Sequence, residues 1–271
     1  MITLQTLRYR QMAQILLSLW VAMRSLLHKL NPTSSISHFL HALLILVVPL
    51  AVLVLTKAGF VPFAAGVVIL SKWRMFAVRP RFWASNIRAN SIDLMVGLSA
   101  VIFIYHSDST ALQLLWTALY AAWLIYIKPK SSSLMVTLQA FIGQFSGLSA
   151  LYLAWGGGPT AGLTLGTGLV CYFAARHFFD SFDEVYAKLL SLVWGYFAAA
   201  LGWLMSHWLL FYGVLAQPTL LMSALGFSMG SMYYLDHKDK LTLGLRRQFI
   251  FIMLVVVIVV LAFSDWGNKV V

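Results

Sequence analysis

The chain has 271 residues, of which 61% are apolar and only 10% charged, with a mean hydropathy of +0.85. Soluble domains carry about 45–50% apolar and about 25% charged residues, so this composition excludes an ordinary water-soluble enzyme. The few charges are lopsided, 19 Lys and Arg against 8 Asp and Glu; on a soluble chain a net +11 would suggest nucleic acid, but in a membrane protein it reports orientation.

Residues 1–36 form the first expected unit. Met12, Ile15, Leu16, Leu19, Trp20, Met23, Leu26, Leu27 and Leu30 recur at helical spacing, opposite Gln11, Gln14, Ser18, Ser25, His28 and Lys29. The pattern predicts an amphipathic helix lying in the membrane interface, held by apolar burial and by basic residues near anionic lipid. A signal peptide competes with this reading, but Arg24 and Lys29 stand where a small-residue cleavage site should be.

Residues 37–271 read as one transmembrane helical domain. A membrane helix needs about 20 mostly apolar residues, and segments of that character lie near 38–57, 59–71, 93–107, 109–127, 133–155, 160–178, 189–212, 216–235 and 248–264. The second is short and starts near Pro62, so it spans only with tilt or thinning, or returns as a re-entrant hairpin with the first. The expected fold is therefore an all-α polytopic bundle of about nine spans (eight or nine), preceded by the interfacial helix. Cys171 is the single cysteine, which rules out an intramolecular disulfide or a Cys-based metal site.

Basic residues assign the sides. All 19 except Lys57 and Lys269 fall on one side of these spans, together with every acid but Asp108 and Asp265. By the positive-inside rule that side is cytoplasmic, which places the N-terminus inside and the C-terminus outside a cytoplasmic membrane. The long loop from Lys72 to Asp93 interleaves Lys72, Arg74, Arg79, Arg81 and Arg88 with Trp73, Phe76, Phe82 and Trp83. Beside a membrane such mixing binds anionic headgroups and not nucleic acid.

The candidate chemistry is sparse. No span carries Asp, Glu, Lys or Arg near its middle, which argues against a proton-coupled transporter. The fifth span has a polar side, Thr137, Gln139, Gln144, Ser146 and Ser149, which interhelical hydrogen bonding explains. Small residues such as Gly162, Gly166, Ser223, Gly226 and Gly230 are expected to pack helices closely. At the end of the sixth span, Asp180, Asp183 and Glu184 would share one face if the helix continued, and could then hold Mg²⁺ against a diphosphate. The simpler account pairs these acids with Arg176 or Lys188. Asp236-His237-Lys238-Asp239-Lys240, on the same side, reads as a solvated turn.

Asn86, Asn90 and Asp93 follow the second span, and the acids at 180–184 follow the sixth. With nine spans and the N-terminus inside, this outline resembles the intramembrane prenyltransferases of the UbiA family, which carry Asp-rich motifs in these two loops. The resemblance implies Mg²⁺-dependent prenyl transfer, with Asp93, Asp180 and Asp183 as metal ligands and Glu184 beside them. Only Asp93 supplies a carboxylate where the family's first motif has two. The leading expectation is a non-catalytic interaction, assembly or lipid-organising protein, partnered by membrane lipids and by another membrane protein. The alternative is the Mg²⁺-dependent prenyl or lipid-diphosphate transferase, and the third an uncoupled small-solute transporter.

Overall fold

A computed structural model describes residues 36–212 and 215–263, without the side chains of residues 36–44 and Arg74. The expected interfacial helix lies outside the described residues. The described residues fall into two units that meet between Val47 and Val48, within the first helix.

The fold is all-α. Helix α1 covers Ile36–Lys57 and α2 Val61–Leu70, separated by a turn in which Gly59 takes φ +83°, a conformation that glycine adopts without a Cβ penalty. There follow α3 (Trp83–Ala89), α4 (Ser91–Tyr105) and α5 (Thr110–Ala122), the last prolonged by a π-helical turn over Trp123–Ile127. Helices α6 (Ser133–Trp155), α7 (Thr160–Asp180) and α8 (Ala187–Ser206) are long. A two-residue hairpin, β1 (Phe211–Tyr212) with β2 (Leu215–Ala216), precedes α9 (Gln217–His237) and α10 (Leu243–Ala262).

Local chemistry accounts for the boundaries. Ser109 and Thr242 cap α5 and α10 by accepting hydrogen bonds from the Leu112 and Leu245 amides, which satisfies donors otherwise orphaned at a helix start. Proline sits in the first turn of α2 and of α9, where its missing N–H costs nothing. The glycine run before Pro159 turns the chain from α6 into α7.

Each of the nine apolar segments coincides with a helix, but the count of membrane spans is smaller by strict criteria. Among the described residues, four helices are long and apolar enough to cross a membrane alone: α5 with its π turn, α6, α8 and α10. A fifth span results if Pro80–Ala89 and Ser91–Tyr105, bent by 63°, count as one. Helices α7 and α9 have 21 residues each, yet are diluted by Gly, Ser, Thr and His. Both are packed between neighbours, α7 between α6 and α8, α9 between α6 and α10; a helix shielded from lipid can carry small and polar residues. The expected seventh span, 189–212, is shortened because α8 ends at Ser206 and Phe211 and Tyr212 enter the hairpin.

Close backbone approach holds the α7–α8 pair. A Cβ on Gly195 would lie 3.0 Å from the Gly168 carbonyl oxygen and 2.9 Å from Tyr172 Cβ, and a Cβ on Gly168 would lie 3.1 Å from the Gly195 carbonyl oxygen. Leu148, Tyr152, Leu163, Cys171, Ala198 and Met222 form the core that α6, α7, α8 and α9 share. Inside it, the Tyr152 and Thr167 hydroxyls bond each other at 2.8 Å.

Candidate functional site

Most of the polar chemistry gathers at one end of the bundle, where the basic loops meet. Asp93, in the first turn of α4, lies 3.0 Å from both Lys72 Nζ and Lys128 Nζ, and its other oxygen accepts from Trp123 Nε1 at 3.1 Å. The π turn makes this possible. Lys128 N bonds the Trp123 carbonyl, five residues back, so α5 widens and both side chains swing toward Asp93. The turn also leaves the Ile127 carbonyl for Gln139. The Gln139 amide nitrogen donates to the carbonyls of Ile127 (2.8 Å) and Lys130 (2.9 Å), so its oxygen accepts from His177 Nε2 at 3.0 Å.

The expected headgroup residues divide. Lys72 is 8% exposed and pairs with Asp93. Arg79 and Arg81 are exposed, Arg81 lying 4.7 Å over the Phe82 ring. Arg88 is half-buried and reaches Asp180 at 3.8 Å. Asn86 and Asn90 spend their amides on backbone carbonyls of Met75 and Asn86, bracing the bend between α3 and α4.

The acids at the end of α7 do not share a face, because the helix stops at Asp180. Asp180 pairs with Arg176 at 2.9 Å, Asp183 is exposed in the left-handed region at φ 51°, and Glu184 accepts from the Tyr233 hydroxyl of α9. Among the described residues no three His, Cys, Asp or Glu side chains are placed to hold a metal ion together. The two loops compared with the prenyltransferase motifs do meet, but through the Arg88–Asp180 ion pair. In the second polar loop Asp239 takes φ 53°, and Asp236 through Lys240 are exposed.

Beside this charged end lies a cleft of about 560 Å³ between α6, α7, α8 and α9. Its walls are Ala140 and Phe141 from α6, Ala175, Phe178 and Phe179 from α7, Val193 and Phe197 from α8, and Phe227, Met229 and Gly230 from α9. At its floor Gln144 joins three helices, donating to the Met222 carbonyl (2.8 Å) and accepting from Trp194 Nε1 (3.1 Å). A Cβ on Gly226 would lie 2.6 Å from the Gln144 amide nitrogen, so glycine there admits the crossing side chain. Helices α8 and α9 pack together near Met205 and Leu221; toward the charged end Val193, Phe197, Phe227 and Met229 stay exposed, from 45% to 58%, and the cleft opens sideways between them.

The mouth is aromatic and polar. Tyr233 packs edge-on against Phe178, Phe179 and Phe182, with the His237 ring stacked 6.3 Å away. Glu184, whose second oxygen accepts from the Tyr186 amide at 3.3 Å, meets the cleft through the Tyr233 hydroxyl. The Tyr233 hydroxyl bond, together with the Tyr186 amide, holds this carboxyl below the usual carboxylate range.

No family model, curated relative or solved structure matches this chain. The site therefore rests on its own geometry. The sequence flags Gln144, Gly226 and Gly230, but as packing residues. Trp194 and Tyr233 carry no local signal, since their roles depend on partners 50 and 49 residues away.

Proposed function

We propose that the protein is a polytopic membrane protein that seats a lipid in the cleft between α6, α7, α8 and α9 and organises lipid at the cytoplasmic face, without chemistry of its own. The cleft is the observation that carries this reading. Its volume falls within the roughly 300–1,000 Å³ typical of ligand sites, and such sites combine apolar walls with a few placed polar groups. Tyr233 at the rim and Gly226 at the floor are seven residues apart, about 10 Å along a helix. Half of a hydrocarbon core about 30 Å thick is about 15 Å, so the cleft fits the headward part of a chain in one leaflet. A sideways opening lets a lipid enter from the bilayer.

The topology proposed with it has α1 and α2 leaving and returning to one side, α4 to α10 crossing in alternation, and the charged end in the cytoplasm. Exposed Arg79 and Arg81 then face anionic headgroups. The transferase reading gains no support from the acids: Asp93 is turned to two lysines, Asp180 to Arg176, Glu184 to Tyr233, and Asp183 is exposed.

The test fills the cleft. A Cβ on Gly230 meets only the Phe178 ring, at 3.9 Å, so Gly230→Leu adds a side chain without displacing backbone. Native mass spectrometry of protein extracted in mild detergent is expected to show bound lipid on the wild type and a loss of about tenfold in Gly230→Leu. Gly66→Leu, on α2 with nothing within 4 Å of its Cβ, is expected to keep the lipid. Equal lipid on all three would remove the proposal.

A further inference from the structure

The strongest acceptor beside the cleft mouth is the Glu184 carboxylate, held on the Tyr233 hydroxyl, and it says which lipid belongs there. We infer that the cleft selects a lipid whose headgroup carries a primary ammonium, which docks on the Glu184 carboxylate while the chain occupies the apolar cleft. The inference rests on the lipid-seating reading and names the ligand class for the same site.

Charge at the mouth runs against the rest of that end. Most of the Lys and Arg lie on the loops of the charged end, so a purely anionic lipid is attracted to that face as a whole. At the rim itself carboxylates gather beside the His237 ring. Arg176 is turned to Asp180 at 2.9 Å, and Arg88 points to the same acid. Glu184 touches Tyr233, a residue of the cleft wall, and Asp236 stands in the last turn of the same helix. Asp183 is exposed one residue before Glu184, and Lys188 is exposed in the first turn of α8.

The donors on Glu184 are already counted. One oxygen takes the Tyr233 hydroxyl and the other the Tyr186 amide, and the Val185 amide is also directed at the carboxylate. An ionised carboxylate offers about four lone-pair sites, so a position remains for a further donor, and an ammonium supplies three. A phosphate with no cationic group would instead bring like charge against the carboxylate. Phe178, Phe179 and Tyr233 line the cleft just inside its mouth as an aromatic collar, which keeps the chain dry while the ammonium stays at the acceptor.

The experiment uses the full-length protein, delipidated and returned to nanodiscs holding phosphatidylethanolamine and phosphatidylglycerol in equal amounts, with bound lipid read by native mass spectrometry. A charge-assisted hydrogen bond is worth about tenfold in occupancy, so the wild type is expected to retain phosphatidylethanolamine over phosphatidylglycerol by that factor. Glu184→Gln should abolish the preference, and Tyr233→Phe, which leaves the carboxylate, should keep it. Equal retention of the two lipids, or an excess of phosphatidylglycerol, overturns the headgroup inference while the cleft reading stands if Gly230→Leu still empties the site. Lipid binding that Gly230→Leu leaves unchanged, or a second polypeptide seated in place of lipid, overturns both.

Discussion

Asp93 shows how much one carboxylate can organise. It gathers a lysine from the α2–α3 segment, a lysine from the end of α5 and an indole from the π turn. Lys72 and Asp93 are mostly buried, their side chains 7% and 12% exposed. A buried pair broken from one side leaves an uncompensated charge, at a cost of about 3–5 kcal/mol. Asp93→Asn is therefore expected to lower stability in detergent by about 3 kcal/mol, measured by reversible denaturant-induced unfolding; a change below about 1 kcal/mol would show the cluster to be solvated. Lys72 adds a pH signature. Burial, helped by the nearby Lys128 and resisted by Asp93, brings its ammonium down from 10.5 to about 8. Between these values the folded protein has released a proton that the unfolded chain still holds. Stability then rises with pH across that window and is lower once pH falls below about 8. Subtracting the stability–pH curve of Lys72→Met from that of the wild type should isolate this rise, and parallel curves would contradict it.

At the scale of elements, the α7–α8 seam depends on two glycines that face each other's carbonyl groups. Gly195→Ala forces backbone or the Tyr172 Cβ to move by several tenths of an ångström, and overpacking of this kind costs about 1–3 kcal/mol. Gly66→Ala meets nothing within 4 Å and exchanges a poor helix former for a good one, so it should be neutral or slightly stabilising. Thermal unfolding of both variants in the same detergent decides this, and equal effects would refute the close-packed seam. The sequence makes the helices legible because apolar runs of membrane length are hard to mistake. It does not show α3, since Trp83–Ala89 mixes Trp, Ser, Asn and Arg without an apolar period, nor the bend at Asn90 that puts Asp93 beside two lysines. The acids at 180–184 look like one face only as long as α7 is taken to continue; the chain ends that helix at Asp180 and sends Glu184 to α9. The cleft is invisible for a deeper reason. It belongs to four helices at once, and each wall residue alone is an ordinary apolar residue.

For the whole molecule, the proposed topology draws on the distribution of charge in the sequence and on the contacts between loops in the structure. The +11 excess gathers on loops that the sequence assigns to a single side. The structure brings the described parts of those loops together: Lys72 with Asp93 and Lys128, Gln139 with His177, Arg88 with Asp180, Glu184 with Tyr233. The glycine turn after α6 lies at the opposite end, where a Cβ on Gly156 would come 2.9 Å from the Phe211 ring. Segments with many Lys and Arg next to spans stay in the cytoplasm, so the charged end should be shielded from outside reagents and the Gly156 end open to them. Single cysteines can read this, because the native Cys171 is fully buried and should not interfere. Asp108→Cys and Gly157→Cys are expected to react with a membrane-impermeant maleimide in intact cells. Lys130→Cys and Asp239→Cys should react only after permeabilisation. Labelling of Lys130→Cys or Asp239→Cys in intact cells, with Gly157→Cys protected, would turn the molecule over. The cleft would then open to the outer leaflet, and its lipid would have to come from there.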